Sequence, residues 1–192
     1  MSGASTLRLP ARSYVVIPAR LASTRLPNKM LLCETGKTVL QHTYEAACRA
    51  RKPLGVCVAT DHELIAKEIQ RMGGRVLMTR ADCASGTDRV AEAARQLGGA
   101  EIIVNVQGDE PEIEPDAIDL VIDLLESDRA ADMATLATPI RSREPLVDPA
   151  CVKVVFSPQG RALYFSRSPI PYYREEVDVQ LDSDPPRYHQ HI

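Results

Sequence analysis

Between Pro18 and Lys29 the chain reads PARLASTRLPNK, a loop with three cations, two hydroxyls and no acid. Arg20 and Arg25 can each offer paired donors to phosphate oxygens, Lys29 supplies a movable point charge, and Ser23 and Thr24 add hydroxyl donors. The first acidic residue is Glu34. Arg8, Arg12, Arg20, Arg25 and Lys29 all precede it, so the first 33 residues carry five positive charges and the remainder −8, against a total of −3. Such a separation points to a local anion site on an otherwise acidic surface. The plain alternative is a solvated basic loop, which costs little to keep in water. With no glycine in it, the loop is neither a Walker A cradle nor a dinucleotide fingerprint.

A second chemical segment is VQGDEP. Gly108 lets the chain turn sharply, and Asp109 projects a carboxylate of the kind that holds Mg²⁺, which binds few protein groups and takes phosphate oxygens and water for the rest. Alone, Asp109 or Glu110 could simply cap a turn; beside an anion loop the metal reading gains weight. RADCASGTDR places Ser85, Gly86 and Thr87 ahead of a helix, where backbone could approach a flat base closely, although an N-cap by Ser85 or Thr87 explains the same residues. TGKT at Thr35–Thr38 imitates the end of a Walker A motif but has Leu31 where the first glycine belongs, so it reads as a turn and helix start. Arg167, just past an apolar run, could meet an acidic substrate or be an ordinary surface arginine. His189 and His191 lack obvious partners for a metal site and read as surface or ligand-contacting side chains. Cys83 has no base paired to it by any sequence feature.

These groups need elements to position them. Tyr14–Ile17, Leu54–Ala59, Arg75–Met78 and the run EIIVNV are continuous apolar segments, hence buried strands. Helical spacing over Val39–Ala50, a helix from an Asp61 N-cap to about Met72, and another from Thr87 to about Leu97 alternate with them. Continuous apolar strands separated by helices predict a doubly wound, mostly parallel α/β sheet covered on both faces, with ligands outside the carboxyl ends of the strands. Both PARLASTRLPNK and QGDEP leave strands at that end. Past Ser127 the rhythm changes: Met133–Ile140, Val152–Phe156 and, after a turn at SPQG, Ala162–Ser166 read as added antiparallel strands. From Arg174 the chain is polar, a tail over 174–192 in which no strand or helix is expected, and 1–13 reads as a flexible N-terminus.

A length of 192 residues suits a single domain over 1–192, and 44 % hydrophobic with 26 % charged residues excludes disordered and fibrous classes. No apolar run is long enough to span a bilayer and no secretory h-region opens the chain, so no membrane partner is expected and a cytoplasmic protein is. Five scattered cysteines without a CxxC pair argue against a disulfide framework or a zinc site. An acidic balance with no broad basic face makes nucleic acid an unlooked-for partner.

Taken in order, VVIPARLASTRLPNK, VATDH, MTRADCASGTDR, IIVNVQGDEP, MATLATPI, VKVVFSPQGRALYFSRSPIPY and the final HI make the chain resemble the CMP-Kdo synthetases, the 3-deoxy-manno-octulosonate cytidylyltransferases, from about Tyr14 to Ile192. The resemblance implies a Rossmann-like nucleotidyltransferase fold and transfer of CMP from CTP to the sugar acid Kdo, releasing pyrophosphate, in cytoplasmic supply of activated Kdo for lipopolysaccharide. It implies that Arg20, Ser23, Arg25 and Lys29 hold the triphosphate and that Pro18 and Ala19 belong to the same nucleotide-binding site. Arg80, Ser85, Gly86 and Gln107 would contact the cytidine part, Asp109 would bind Mg²⁺, and Arg167 and His191 would contact the sugar acid. Arg20, Arg25, Lys29 and Asp109 would then be the catalytic set, and a homodimer is implied as well. Two positions depart from the family pattern: Asn28 where glycine is usual and Cys83 where histidine is frequent. The family pattern also continues past Ile192 with an EQLR-like segment and a GVDTPEDL-like segment carrying a second metal carboxylate, so the chain is expected to be C-terminally incomplete. The alternatives are a catalytically silent nucleotide-binding remnant or a cytidylyltransferase for another sugar acid; an NAD-binding protein is disfavoured by the lack of GxGxxG after any strand.

Overall fold

The computed structural model describes residues 11–22, 26–128, 130–174 and 180–192. The chain folds as two compact units, Met1–Ala134 and Thr135–Ile192, where length alone suggested one domain.

In the first unit strands β1 (Ser13–Pro18), β2 (Gly55–Thr60), β3 (Arg75–Met78) and β4 (Ile102–Asn105) form one parallel sheet in the order β3-β2-β1-β4. Helices α1 (Val39–Ala47), α2 (Glu63–Arg71), α3 (Gly86–Gln96) and α4 (Pro115–Ser127) connect or follow them. β1 shows why the strands are continuously apolar. Val15, Val16 and Ile17 are all fully buried, but they serve opposite faces. Val15 and Ile17 join Leu40, Ile65, Ile69, Ile118 and Ile122 from α1, α2 and α4. Val16 joins Cys57, Leu77, Val90, Ala93 and Leu97, on the side covered by α3. Side chains alternate across a strand, so a strand covered on both faces is apolar at successive positions; Ser13, buried at the start of β1, donates its hydroxyl to Lys52 O. Burial of each such apolar side chain is worth about 1.5–3 kcal/mol.

Local chemistry sets the helix starts. Thr38 accepts from Gln41 N and opens α1, so TGKT is indeed a turn and helix start. Ser85 accepts from Asp88 N and opens α3, and Pro115 stands in the first turn of α4. The expected Asp61 cap of α2 is a correction: His62 is the N-cap, its Nδ1 accepting from Leu64 N, because Asp61 is drawn into an ion pair with Arg89 at 3.2 Å. α1 also ends at Ala47, short of Ala50. The N-terminal residues 11–13 are held rather than flexible: Ala11 N donates to Glu126 Oε1 at 2.8 Å, Glu101 N donates to Arg12 O, and Ser13 begins β1. Residues 1–10 lie outside the described residues.

The second unit is an antiparallel sheet of its own, ordered β5-β8-β6-β7, with β5 (Ala137–Pro139), β6 (Lys153–Phe156), β7 (Ala162–Ser166) and β8 (His189–His191). The short helix α5 (Arg143–Val147) lies between β5 and β6 in the chain. Two expectations are corrected here. The strand read over Met133–Ile140 shrinks to three residues, and the polar tail does complete a strand. β8 pairs with both β5 and β6, while Leu181 and Tyr188 are buried with Ile140 and Leu146.

Candidate active site

In the order β3-β2-β1-β4 the chain runs outward from β1 to β2 and β3, then returns to place β4 on the other side of β1. The crevice of such a sheet opens between the carboxyl ends of β1 and β4, where the loops after them diverge. The loop after β1 carries Arg20 and Lys29; that after β4 carries Gln107 and Asp109. Lys29 Nζ meets Asp109 Oδ2 at 2.7 Å, between side chains 38 % and 40 % exposed.

Gly108 explains how the β4 loop comes so close. Its own side is filled, and a Cβ there would stand 3.0 Å from Pro18 O and 3.1 Å from Met30 Sδ. Thr43 of α1 fixes the same turn, its hydroxyl donating to Gly108 O at 3.0 Å. Lys29 is oriented by a 3-10 turn over Lys29–Leu31, entered through Asn28 with φ 54° and ψ 27°. That left-handed conformation suits glycine best, and asparagine better than other residues, which accounts for the departure at position 28. Beside Asp109 the Glu110 carboxyl still meets solvent, yet the crowding protein first and the Asp109 charge second raise its pKa.

On the flank of the crevice the start of α3 approaches. A Cβ on Gly86 would stand 3.5 Å from Gln107 Oε1 and 3.5 Å from Pro18 Cγ, so Pro18, Gly86 and Gln107 share one corner. Gln107 Nε2 donates to Asn105 Oδ1 at 3.2 Å. Ala19 is buried, its N–H donating to Ala59 O, and Arg20 is exposed just after it. Arg80 is exposed, its Nε near Asp82 (3.2 Å) and Glu92 (3.5 Å). Ser23, Thr24 and Arg25 lie outside the described residues. In the second unit Arg167 follows β7 and donates to Pro149 O at 2.6 Å. His191 of β8 holds Thr135 Oγ1 at 2.9 Å through Nε2, and its ring packs edge-on to Phe165 at 5.1 Å.

Sequence reasoning missed Thr43, Arg89 and Glu92. A hydroxyl on the helix face it shares with Leu40, Ala46 and Ala47 is a faint signal. The charged pair, three residues apart on α3 and in step with Ser85, is a stronger one. A hollow of about 440 Å³ beside α1 and the end of α2, lined by Gln41, Tyr44, Glu45, Cys48, Arg71 and Met72, contributes none of the candidate side chains. Among the described residues no helix is long and apolar enough to cross a membrane.

The sheet is wound on both faces and sets a cation and a carboxylate facing each other at its switch point, the place where an α/β fold of this kind binds its ligand. Residues 14–191 match the cytidylyltransferase family model. Over 182 residues, 94 % of this chain and 73 % of the relative, the sequence is 49 % identical to the 3-deoxy-manno-octulosonate cytidylyltransferase of Rhodopirellula baltica. It is 52 % identical to that of Geobacter sulfurreducens over 84 % of this chain and 64 % of the relative. The chain belongs to the 3-deoxy-manno-octulosonate cytidylyltransferase family. Among solved structures, a CMP:2-keto-3-deoxy-manno-octonic acid synthetase in complex with CTP superposes with a TM-score of 0.85 at 41 % identity, over 95 % of this chain and 72 % of the other. A cytidylyltransferase from Leptospira borgpetersenii matches more distantly, with a TM-score of 0.56 at 27 % identity over 62 % of this chain and 50 % of that one.

Proposed function

We propose that the chain transfers CMP from CTP to 3-deoxy-manno-octulosonate. The observation that carries this reading is the likeness over 95 % of the chain to a synthetase solved with CTP. In the reaction the anomeric hydroxyl oxygen of the sugar acid attacks the α-phosphorus, the bond from that phosphorus to the bridging oxygen breaks, pyrophosphate leaves, and the hydroxyl proton passes to solvent. Such chemistry asks the protein chiefly for positioning and charge neutralisation.

In this assignment Arg20, Ser23, Arg25 and Lys29 hold the triphosphate, with Pro18 and Ala19 shaping the turn beneath it. Arg80, Ser85, Gly86 and Gln107 contact the cytidine, and Arg167 and His191 contact the sugar acid. Asp109 is the side chain that would hold Mg²⁺. Among the described residues no group of three or more His, Cys, Asp or Glu could cage a metal, and a lone carboxylate suits an ion carried in on phosphate oxygens. When bound, Mg²⁺ supplies charge neutralisation on those oxygens and eases pyrophosphate departure. A cytoplasmic location, a homodimer and a place in lipopolysaccharide supply belong to the same proposal; light scattering tests the dimer.

Pyrophosphate release with CTP and Mg²⁺, measured with and without the sugar acid, tests the function. Release that requires the sugar acid is expected. CTP binding with no release under either condition would reduce the chain to a nucleotide-binding protein.

A further inference from the structure

One face of α3 repeats a polar residue at Ser85, Arg89, Glu92 and Gln96, a spacing of four, three and four that lines them along a single stripe. Arg89, Glu92 and Gln96 each reach the end of β3 or the segment leaving it. Gln96 Nε2 donates to Met78 O at 2.9 Å. Arg89 Nη1 donates to Thr79 Oγ1 and, at 3.4 Å, to Arg80 O. Glu92 accepts from Arg80 N at 3.0 Å and from Cys83 Sγ at 3.3 Å. Ser85 closes the segment by capping the helix itself. The neighbouring stripe, Val90, Ala93 and Leu97, about a quarter turn round the helix, is buried against the sheet, so the helix is fixed and the loop inherits its position.

Arg89 is the centre of this device. It is 2 % exposed, and Asp61, just beyond β2, is its carboxylate partner at 3.2 Å. Stability is a weak reason to bury an ion pair, because well-packed apolar residues in place of both partners are often as stable or more so. What an apolar residue could not do is hold Thr79 and Arg80 in one fixed conformation.

We propose that the stripe Ser85, Arg89, Glu92 and Gln96 sets which nucleobase the site accepts, with Arg89 as its central positioning residue. The proposal rests on the assignment of Arg80, Ser85 and Gly86 to the cytidine. Cytosine and uracil present opposite donors and acceptors on one edge, and discrimination between them requires polar groups held in place rather than free to re-pair. Arg89 touches no substrate atom; it acts through the loop.

The test measures CTP, UTP and CMP dissociation constants by calorimetry with Mg²⁺ on the full chain and on Arg89→Met, Arg89→Lys and Glu92→Ala, with circular dichroism to verify folding. Arg89→Met is expected to cut the preference for CTP over UTP by about tenfold, a change of about 1.4 kcal/mol. Lysine at that position should restore part of it. The ratio of CTP to CMP affinity, set by the triphosphate loop, should stay as in the parent chain. A folded Arg89→Met with the parent's CTP-to-UTP ratio overturns the proposal. Should Arg89→Met not fold, Glu92→Ala decides: a lowered ratio supports the stripe and an unchanged one overturns it. A parent chain that does not prefer CTP at all defeats the cytidine assignment itself, and this proposal with it.

Discussion

Lys29 Nζ lies 2.7 Å from Asp109 Oδ2, joining the loop after β1 to the loop after β4. Both side chains keep more than a third of their surface in water, so the pair contributes at most about 1 kcal/mol to folding. Its value lies in what it places opposite each other. Lys29→Met is expected to weaken CTP binding about tenfold or more and to move the melting temperature little. Asp109→Asn is expected to remove most Mg²⁺-dependent turnover with the fold intact. Calorimetry and a turnover assay across Mg²⁺ concentration check both; full turnover of Asp109→Asn at saturating Mg²⁺ would take Asp109 out of its assigned role.

Gly108 should tolerate no side chain. Alanine there brings a Cβ within 3.0 Å of Pro18 O and 3.1 Å of Met30 Sδ. The thioether can move; the carbonyl belongs to β1 and cannot. Gly108→Ala is expected to cost about 1–3 kcal/mol by urea denaturation and to lower turnover further than that loss of folded protein explains, since the β4 loop must shift. Equal denaturation midpoints and rates would show that the turn has slack.

Asn28 occupies a left-handed conformation. Asn28→Gly should leave stability within about 0.5 kcal/mol of the parent, whereas Asn28→Val should cost about 1–2 kcal/mol. The valine variant should also weaken CTP, because the turn it strains presents Lys29. Chemical denaturation and nucleotide titration of the two variants side by side check this.

Asp119 ties α4 to the chain after α1, accepting from Arg51 N at 3.0 Å and Lys52 N at 2.9 Å. Burial alone would raise its pKa, but the hydrogen bonds from the Lys52 and Arg51 amides and the Arg51 side chain together hold it below the usual carboxyl range. A carboxyl whose folded pKa is depressed stabilises above its unfolded pKa of about 4 and loses that contribution as pH falls through the folded value. Glu126, held low by Lys52 and Ala11 N, acts with the same sign. The melting temperature is expected to fall below about pH 5, and Asp119→Asn should flatten that fall while lowering stability at neutral pH. A parent-like slope in the variant would assign the acid sensitivity elsewhere.

The parallel sheet was legible because its inner strands carry their burial in their own composition: VVI, VCVA and IIV need no knowledge of their neighbours, whereas RVLM, at the sheet edge, buries only Leu77. The loops at the carboxyl ends followed from that sheet, so Lys29, Gln107 and Asp109 could be placed together in advance. Contacts that depend on distant residues were not legible. Asp61 looks like a helix cap until Arg89, from a later helix, claims it. Likewise HQH looks like tail until Lys153 and Thr138 offer it an edge. The helix Pro115–Ser127, with buried Ile118 and Ile122 one turn apart, offers a local signal that a strand-led reading passes over.

The place of β8 between β5 and β6 has a kinetic corollary. Within the first unit every strand of the parallel sheet has been synthesised by residue 105, and the last covering helix by residue 127. The antiparallel sheet is built the other way round: β5 and β6 leave the ribosome with a gap between them that only residues 189–191 fill. Contacts of such long sequence separation form slowly and leave unpaired edges exposed while they wait. During synthesis the two units should therefore acquire protease resistance one after the other, the first while the second is still an open, aggregation-prone chain.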